Sequence, residues 1–255
     1  MDKFLQLDIR DIIAIAQKAG NIIMEIYAKD FNVEYKDDKS PLTEADQKAN
    51  DVIVEGLNAL SLKFPILSEE GKEIPYEERK NWEYFWMVDP LDGTKEFIKK
   101  NDEFTVNIAL IYQNSPVLGV VYAPALNEMY WAKQGEGAFK NGDRLPLHTN
   151  QHPEKLLRVV ASKSHLSTET QAYIDDLAKV TESIKCVSKG SSLKLCMVAE
   201  GSADIYPRLA PTMEWDTAAA DAIVREAGKM TFEYNTETQL IYNKENLLNP
   251  WLIVR

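Results

Sequence analysis

The sequence contains few cysteines and has no long apolar run. Cys186 and Cys196 are its two cysteines in 255 residues, and their spacing fits no common zinc pattern. So few thiols suit a reducing compartment rather than a disulfide-linked fold. No stretch approaches the roughly 20 apolar residues that a membrane-spanning helix needs, and the first residues lack the apolar core of a signal peptide. These absences predict a cytoplasmic protein.

Basic residues are outnumbered by acidic ones. The chain has 29 Lys and Arg against 40 Asp and Glu, a net charge of −11. Binding to a nucleic acid polymer needs a surplus of basic side chains, so this class of partner is not expected. A small phosphorylated substrate remains compatible, because a bound metal ion reverses the local field. The length allows one large domain or two closely packed ones.

One turn in the middle of the chain combines carboxylates with a buried strand. The residues from Tyr84 to Val88 are apolar and aromatic, which predicts a strand that ends at Asp89 because Pro90 follows it. Asp92 lies three residues further on. Two carboxylates at one strand end favour a hard divalent cation such as magnesium. The structural alternative is an Asx-type turn that caps the next segment.

Three further carboxylates stand where secondary structure elements begin or end. A short strand ending at Leu67 leads to Glu69. Asp46 follows Thr43 by three residues, a spacing typical of a capping box at the start of a helix. Asp216 opens an alanine-rich helix, where an N-cap is the structural alternative. Each is ambiguous alone, and together they suggest one acidic site.

The remaining sequence predicts two halves that differ in the order of their helices and strands. An amphipathic helix from about Ile9 to Ile26 and a second one ending near Leu60 precede an antiparallel meander and a hairpin. The polar stretch from residue 148 to 154 marks a boundary. We therefore predict residues 1–150 as an α+β half that carries most metal ligands, and 151–255 as an α/β half that supplies Asp216 and the substrate pocket. The predicted elements after the boundary are strands 156–162, 184–187, 203–206 and 230–233, and helices 167–180, 191–200 and 216–227.

A second helix start resembles an anion site. Gly190, Ser191, Ser192 and Lys194 open the helix that follows a strand, and free N–H groups with hydroxyls and an amine can hold an anion. The GxxxxGK[ST] spacing of a P-loop is missing. His165 and Arg208 are single polar residues whose default interpretation is structural.

Taken as an ordered set, these motifs resemble those of the inositol monophosphatase-like family of metal-dependent, lithium-sensitive phosphatases. The resemblance covers essentially the whole chain. It rests on Glu69-Glu70, on Trp86-Met87-Val88-Asp89-Pro90-Leu91-Asp92-Gly93-Thr94 and on Trp215-Asp216-Thr217-Ala218-Ala219. It implies a layered αβαβα sandwich, of α+β or α/β class, with the metal site between the two halves.

The resemblance also implies roles for individual residues. Two or three magnesium ions would be held by Glu69, Asp89, Asp92, Asp216 and the carbonyl of Leu91. Asp46, Thr94 and Glu69 would position or activate the attacking water, with the division between them open. The scissile phosphate would meet the N–H groups of Gly93 and Thr94, close to the ligands Glu69, Leu91, Asp92 and Asp216. The remote phosphate and ribose would be contacted by His165, Ser191, Lys194 and Arg208.

Within the family, four further stretches are similar to the bacterial 3′(2′),5′-bisphosphate nucleotidase branch. They are 92–98, 103–111, 190–194 and 206–208. The expected reaction is hydrolysis of 3′-phosphoadenosine 5′-phosphate to AMP and phosphate, as in sulfate assimilation. Alternatives are an inositol or other sugar-phosphate phosphatase on the same site and a non-catalytic sensor. The resemblance also suggests a peripheral position at the inner face of the cell membrane, and it leaves the oligomeric state open.

Overall fold

The structure is a computed structural model that describes residues 3–29, 33–35, 41–148, 156–162 and 166–255. A short 3-10 helix, Lys3–Gln6, precedes the α-helices. The α-helices are α1 Ile9–Tyr27, α2 Glu44–Ala59, α3 Tyr76–Arg79, α4 Thr94–Ile98, α5 Thr168–Val180, α6 Leu193–Glu200 and α7 Glu214–Glu226. The strands are β1 Val33–Tyr35, β2 Pro41–Thr43, β3 Ile66–Ser68, β4 Tyr84–Asp92, β5 Thr105–Tyr112, β6 Ser115–Ala123, β7 Glu128–Lys133, β8 Gly137–Lys140, β9 Asp143–Arg144, β10 Leu156–Ala161, β11 Ser183–Ser188, β12 Tyr206–Arg208, β13 Thr231–Glu233 and β14 Leu252–Val254. No helix in these ranges combines the length and the apolar character needed to cross a membrane.

A seven-stranded sheet in the order β3-β4-β5-β6-β7-β8-β9 forms the centre of the molecule. β3 and β4 are parallel, and the pairs that follow are antiparallel. The meander from β5 to β7 and the hairpin of β8 and β9 confirm the predicted arrangement. Because β3 and β4 run in the same direction, their carboxyl ends lie at the same edge of the sheet.

One face of this sheet is covered by α1 and α2. The apolar residues of α1 recur at helical spacing, so Ile12 and Ile23 are fully buried against the sheet. The side chain of Asp8 caps this helix by accepting a hydrogen bond from the N–H of Arg10. The capping box predicted for α2 is confirmed, since Thr43 N–H donates to Asp46 and Ala45 N–H to Thr43 Oγ1.

The opposite face is covered by α6 and α7, which come from the second half of the chain. α7 lies very close to β6 at Gly119, where a Cβ atom would be 2.1 Å from the carbonyl oxygen of Ala219. The small side chains of the alanine-rich stretch therefore let the first turns of α7 approach the sheet. This contact fixes the distance between α7 and the strand ends that carry carboxylates.

The second half adds two smaller sheets, the parallel pair β10-β11 and the antiparallel β12-β14-β13. α5 packs against them through Ile174, which lies in a core with Val159, Ile205 and Ile253. The layers are thus helices, large sheet, helices, small sheets and helix, and the predicted αβαβα sandwich is confirmed. The division of function at about residue 150 stays a prediction.

Several predicted boundaries were wrong. β4 does not end at Asp89: its pairing with β5 is interrupted by a bulge and resumes at Asp92, because a bulge accommodates Pro90 without a ladder bond. α6 begins at Leu193 rather than Ser191, and α7 begins at Glu214 rather than Asp216. The strand expected at 203–206 lies at Tyr206–Arg208, and β14 was not predicted.

Candidate active site

Two carboxylates lie side by side where the parallel strands β3 and β4 end. Ser68 is paired with Val88, and the N–H of Glu69 donates to the carbonyl of Val88 at 3.1 Å. Glu69 and Asp89 are therefore the next residues on neighbouring strands. Asp89 is 1% exposed, so its carboxylate is almost completely removed from water.

A third carboxylate, that of Asp216, reaches the same place from the first turn of α7. One oxygen of each of Glu69, Asp89 and Asp216 lies within 4.8 Å of the others. Asp216 Oδ2 accepts hydrogen bonds from Thr212 Oγ1 at 2.7 Å and from Met213 N at 2.9 Å. Asp216 thus caps its own helix, as one interpretation of the sequence predicted, and it also belongs to the acidic cluster. Its role as a metal ligand stays a prediction.

The bulge in β4 and the turn after it shape the floor of the site. The N–H of Leu91 donates to Asp89 Oδ1 at 3.0 Å, which fixes that carboxylate. Gly93 has φ = 90°, a left-handed conformation that favours glycine. A Cβ at this position would also be 3.1 Å from the carbonyl oxygen of Glu103. The glycine lets α4 begin at once with Thr94 facing the cluster.

The hydroxyl of Thr94 connects the turn to Asp46. Thr94 Oγ1 donates to Asp46 Oδ1 or to the carbonyl of Leu91, each at 3.3 Å. The second oxygen of Asp46 accepts from the N–H of Thr43 at 2.7 Å and from its hydroxyl at 2.6 Å. Asp46 is buried, and its orientation is set by the capping box of α2.

Asp92 faces the start of α6. Its Oδ2 accepts from the N–H of Ser192 at 2.5 Å. The hydroxyl of Ser192 is in turn held by Thr105 and Asn107, both on β5 and both at 2.8 Å. The amine of Lys194 donates to the carbonyl of Ser191 at 2.5 Å.

Burial and mutual repulsion raise the pKa of these carboxylates. Burial, followed by repulsion from Glu69, raises the pKa of Asp89 well above 3.8. Burial and the charge of Asp216 raise the pKa of Asp92 to about 7, although Lys194 opposes the change. Burial also raises the pKa of Asp216, and it lowers the pKa of Lys194 to about 8. Lys194 and Arg208 therefore offset only part of the negative charge of the cluster, and a bound cation would relieve the rest.

The cluster opens into a cavity of about 370 Å³. Ten of the predicted site residues line it: Glu69, Asp89, Leu91, Asp92, Gly93, Thr94, Ser191, Lys194, Arg208 and Asp216. Asp46 does not line the cavity and reaches it through Thr94. His165 lies outside the described residues.

The structure places two residues at this site to which the sequence analysis assigned no role, Thr212 and Tyr206, and it shows a contact that was not predicted for Ser192, a member of the expected anion site. Ser192 holds Asp92, Thr212 holds Asp216, and the ring of Tyr206 lies 5.6 Å from the amine of Lys194. Thr212 precedes Asp216 by four residues, a spacing at which a hydroxyl can reach a helix cap. For Ser192 and Tyr206 the only signal was their place within motifs, since their partners are distant in sequence.

Comparison with known proteins supports one family. Residues 6–251 match the inositol monophosphatase family. The 3′(2′),5′-bisphosphate nucleotidase CysQ of Salmonella typhimurium is 46% identical over 246 residues, which are 95% of this chain and 97% of that protein. The protein of the same name from Escherichia coli K12 is 45% identical and covers 92% of this chain and 94% of its own length.

Solved structures agree with the sequence comparison. CysQ from Bacteroides thetaiotaomicron, described as a bacterial member of the inositol monophosphatase family, has a TM-score of 0.88 at 47% identity and covers 98% of each chain. An inositol monophosphatase from Thermotoga maritima has a TM-score of 0.76 at 27% identity, over 96% of this chain and 91% of the other. From its motifs, its fold and these relatives, the chain belongs to the inositol monophosphatase family.

Proposed function

We propose that this chain is a magnesium-dependent 3′(2′),5′-bisphosphate nucleotidase that converts 3′-phosphoadenosine 5′-phosphate to AMP and phosphate. The observation that carries the proposal is that one cavity contains both the acidic cluster and basic side chains, among them Lys194 and Arg208. An acidic site can hold metal for one phosphate, and the basic side chains can hold the other. Relatives 45–46% identical are named for this activity, and the substrate fits a role in sulfur assimilation.

The carboxylates fit a hard divalent cation. One oxygen of each of Glu69, Asp89 and Asp216 lies within 4.8 Å of the others, and the raised pKa of Asp89 reflects burial and repulsion from neighbouring carboxylates. Magnesium combines carboxylate oxygens with substrate phosphate in this way. We assign Glu69, Asp89, Asp92, Asp216 and the Leu91 carbonyl as ligands of two or three ions.

Bound magnesium would acidify the attacking water and neutralise charge on the attacking and leaving oxygens. The protein's own task is to place that water and receive its proton. Thr94 Oγ1 donates its proton toward Asp46 Oδ1, so its lone pairs can accept a hydrogen bond from the water. Asp46 keeps Thr94 in this orientation, because its other oxygen is engaged by Thr43. Glu69 shares the task from the end of β3.

The scissile phosphate would be held at the start of α4. The first N–H groups of a helix have no acceptor within the helix, and those of Gly93 and Thr94 occupy this position beside the cluster. The left-handed conformation of Gly93 lets the backbone approach the phosphate without a side chain between them.

The second phosphate and the ribose would be recognised at the start of α6. The hydroxyl of Ser191 is buried and has no hydrogen-bond partner among the described residues, although such groups are normally paired. Lys194 is 6% exposed, and its amine carries a positive charge near neutral pH, because its pKa is about 8. One N–H of Arg208 donates to the carbonyl of Pro211 at 2.7 Å, which holds the guanidinium at the cavity. These donors suit a substrate with a second anionic group.

Phosphate release from a substrate panel tests the proposal. Purified protein is supplied with 3′-phosphoadenosine 5′-phosphate, inositol 1-phosphate or fructose 1,6-bisphosphate, with magnesium or with EDTA. We expect release that needs magnesium and is fastest from the nucleotide. Faster phosphate release from either sugar phosphate would contradict the nucleotidase assignment and favour the alternative, a sugar-phosphate phosphatase. No release from any of them with magnesium would favour a sensor. The cytoplasmic location and the peripheral membrane position stay predictions.

A further inference from the structure

A buried carboxylate that sequence reasoning did not assign, Glu214, lies two residues before Asp216. It is 0% exposed. Side chains two positions apart on a helix point about 200° away from each other. Asp216 faces the acidic cluster, and Glu214 faces the irregular segment 243–249 on the other side of the helix start. The first turn of α7 therefore carries one carboxylate on each of two opposite faces.

The position of Asp216 depends on this segment. Asp216 Oδ2 is held by Thr212 and Met213, and both of these residues are held by Asn249. The N–H of Asn249 donates to the carbonyl of Thr212, and its side-chain amide to the carbonyl of Met213, each at 2.8 Å. The N–H of Glu214 also donates to the carbonyl of Leu247 at 2.9 Å. A shift of segment 243–249 would thus move the groups that orient Asp216.

Two buried charged side chains hold segment 243–249, which has no regular secondary structure of its own. Glu214 accepts from the N–H of Asn243 at 2.6 Å and from the N–H of Lys244 at 3.0 Å, and it pairs with the Lys244 amine at 2.6 Å. Arg79, from α3, donates to the carbonyls of Lys244 and Glu245 at 2.7 and 2.8 Å. The carboxylate binds the N–H groups of the segment, and the guanidinium binds its carbonyl groups.

We infer that Glu214 is a positioning residue for the metal site, which acts by fixing segment 243–249 against the start of α7. The inference rests on the proposed function, because it treats Asp216 as a metal ligand. Replacement of Glu214 by Gln removes the charge that pairs with the Lys244 amine, and it turns one of the two acceptor oxygens into an NH2 donor. At least one buried donor of the segment then faces another donor, which is costly. The segment would move, and Thr212 and Met213 would no longer hold Asp216 in one orientation.

The inference is tested without using activity by measuring the affinity of the metal-free protein for magnesium by calorimetric titration. We expect Glu214→Gln to weaken binding about tenfold, as is usual when a partner that orients a metal ligand is lost. Glu200→Gln is the matched control: Glu200 is also a buried glutamate, with three donors in Lys140, Tyr130 and Ser202, but at the far end of α6. It should lower stability and leave magnesium affinity unchanged.

Equal affinities in the Glu214→Gln and Glu200→Gln variants would overturn the inference, because Glu214 would then serve the fold alone. Asp216→Asn separates this failure from failure of the proposed site. If Asp216→Asn binds magnesium as the wild type does, the ligand assignment is wrong. Should Glu214→Gln fail to fold, Lys244→Met removes one donor to the same carboxylate. It should weaken magnesium binding more than Glu200→Gln does, and unchanged affinity would contradict the inference.

Discussion

Replacement of Asp92 by Asn should make the metal-free protein more stable and the enzyme inactive. Asn has nearly the same volume, and its carbonyl oxygen can still accept the hydrogen bond that Ser192 N–H donates to Asp92. The substitution therefore removes the charge and keeps the contact. Loss of one such charge near the reacting phosphate should lower kcat at saturating magnesium by about a hundredfold or more.

The raised pKa of Asp92 determines whether Asp92→Asn increases or decreases the stability of the metal-free protein. In the metal-free protein the pKa of Asp92 is raised from 3.8 to about 7 by burial and by Asp216. The folded state therefore keeps a proton that the unfolded chain releases, so stability falls as the pH rises from about 4 to about 7. The full difference corresponds to about 4 kcal/mol. Because the side chain is only half-buried, solvent screening reduces this to about 2 kcal/mol.

Urea unfolding in EDTA between pH 4 and pH 8 measures this effect. We expect Asp92→Asn and wild type to be equally stable near pH 4, and the variant to be more stable by about 2 kcal/mol near pH 8. Asp11→Asn, on the exposed face of α1, is the control for removal of one surface charge. A variant less stable than wild type at pH 8, or a difference that does not change with pH, would refute the reasoning.

Three further predictions concern the substrate, the metal and the water. Lys194→Ala should weaken the binding of 3′-phosphoadenosine 5′-phosphate about tenfold to a hundredfold, since a buried charge-assisted contact contributes about 1.5–3 kcal/mol. Steady-state kinetics should show an unchanged reaction with inositol phosphate. Equal losses on both substrates would mean that the amine serves the fold or the reacting phosphate. Lithium should inhibit when it replaces sodium at equal ionic strength, because it supplies half of the charge of magnesium at an oxygen-lined site; unchanged rates would contradict this. Thr94→Val should lower kcat about a hundredfold with little change in KM, while Thr94→Ser keeps most activity, and equal kcat in both variants would remove the hydroxyl from the mechanism.

Local sequence patterns predicted the site where the chain itself brings the residues together. The sequence predicted that one strand leads to Glu69 and another to Asp89, which suggested one acidic site. The structure adds that these strands are parallel, which places both carboxylates at one edge of the sheet. The capping box of Thr43 and Asp46 was visible from spacing alone. These features depend on hydrogen bonds between residues that are close in sequence or on the direction of neighbouring strands.

Features held by distant residues could not be predicted in the same way. Ser192 is placed by Thr105 and Asn107, which are more than 80 positions away. The start of α7 is determined by contacts with segment 243–249, which has no periodic pattern. A strand end was predicted at Pro90, where the structure has a bulge. A proline is compatible with a strand end and with a bulge, and only the pairing with β5 distinguishes the two. These long-range contacts cannot be predicted from residue types alone.

The most direct test of the proposed activity is the identity of the nucleoside product. Protein, magnesium and 3′-phosphoadenosine 5′-phosphate are incubated, and the nucleotides are separated by chromatography against 5′-AMP and 3′-AMP standards. Metal ions at the acidic cluster, with Lys194 and Arg208 on the second phosphate, predict 5′-AMP and one equivalent of phosphate, with no product in EDTA. Formation of 3′-AMP, or an unchanged substrate while inositol phosphate is hydrolysed, would contradict the account.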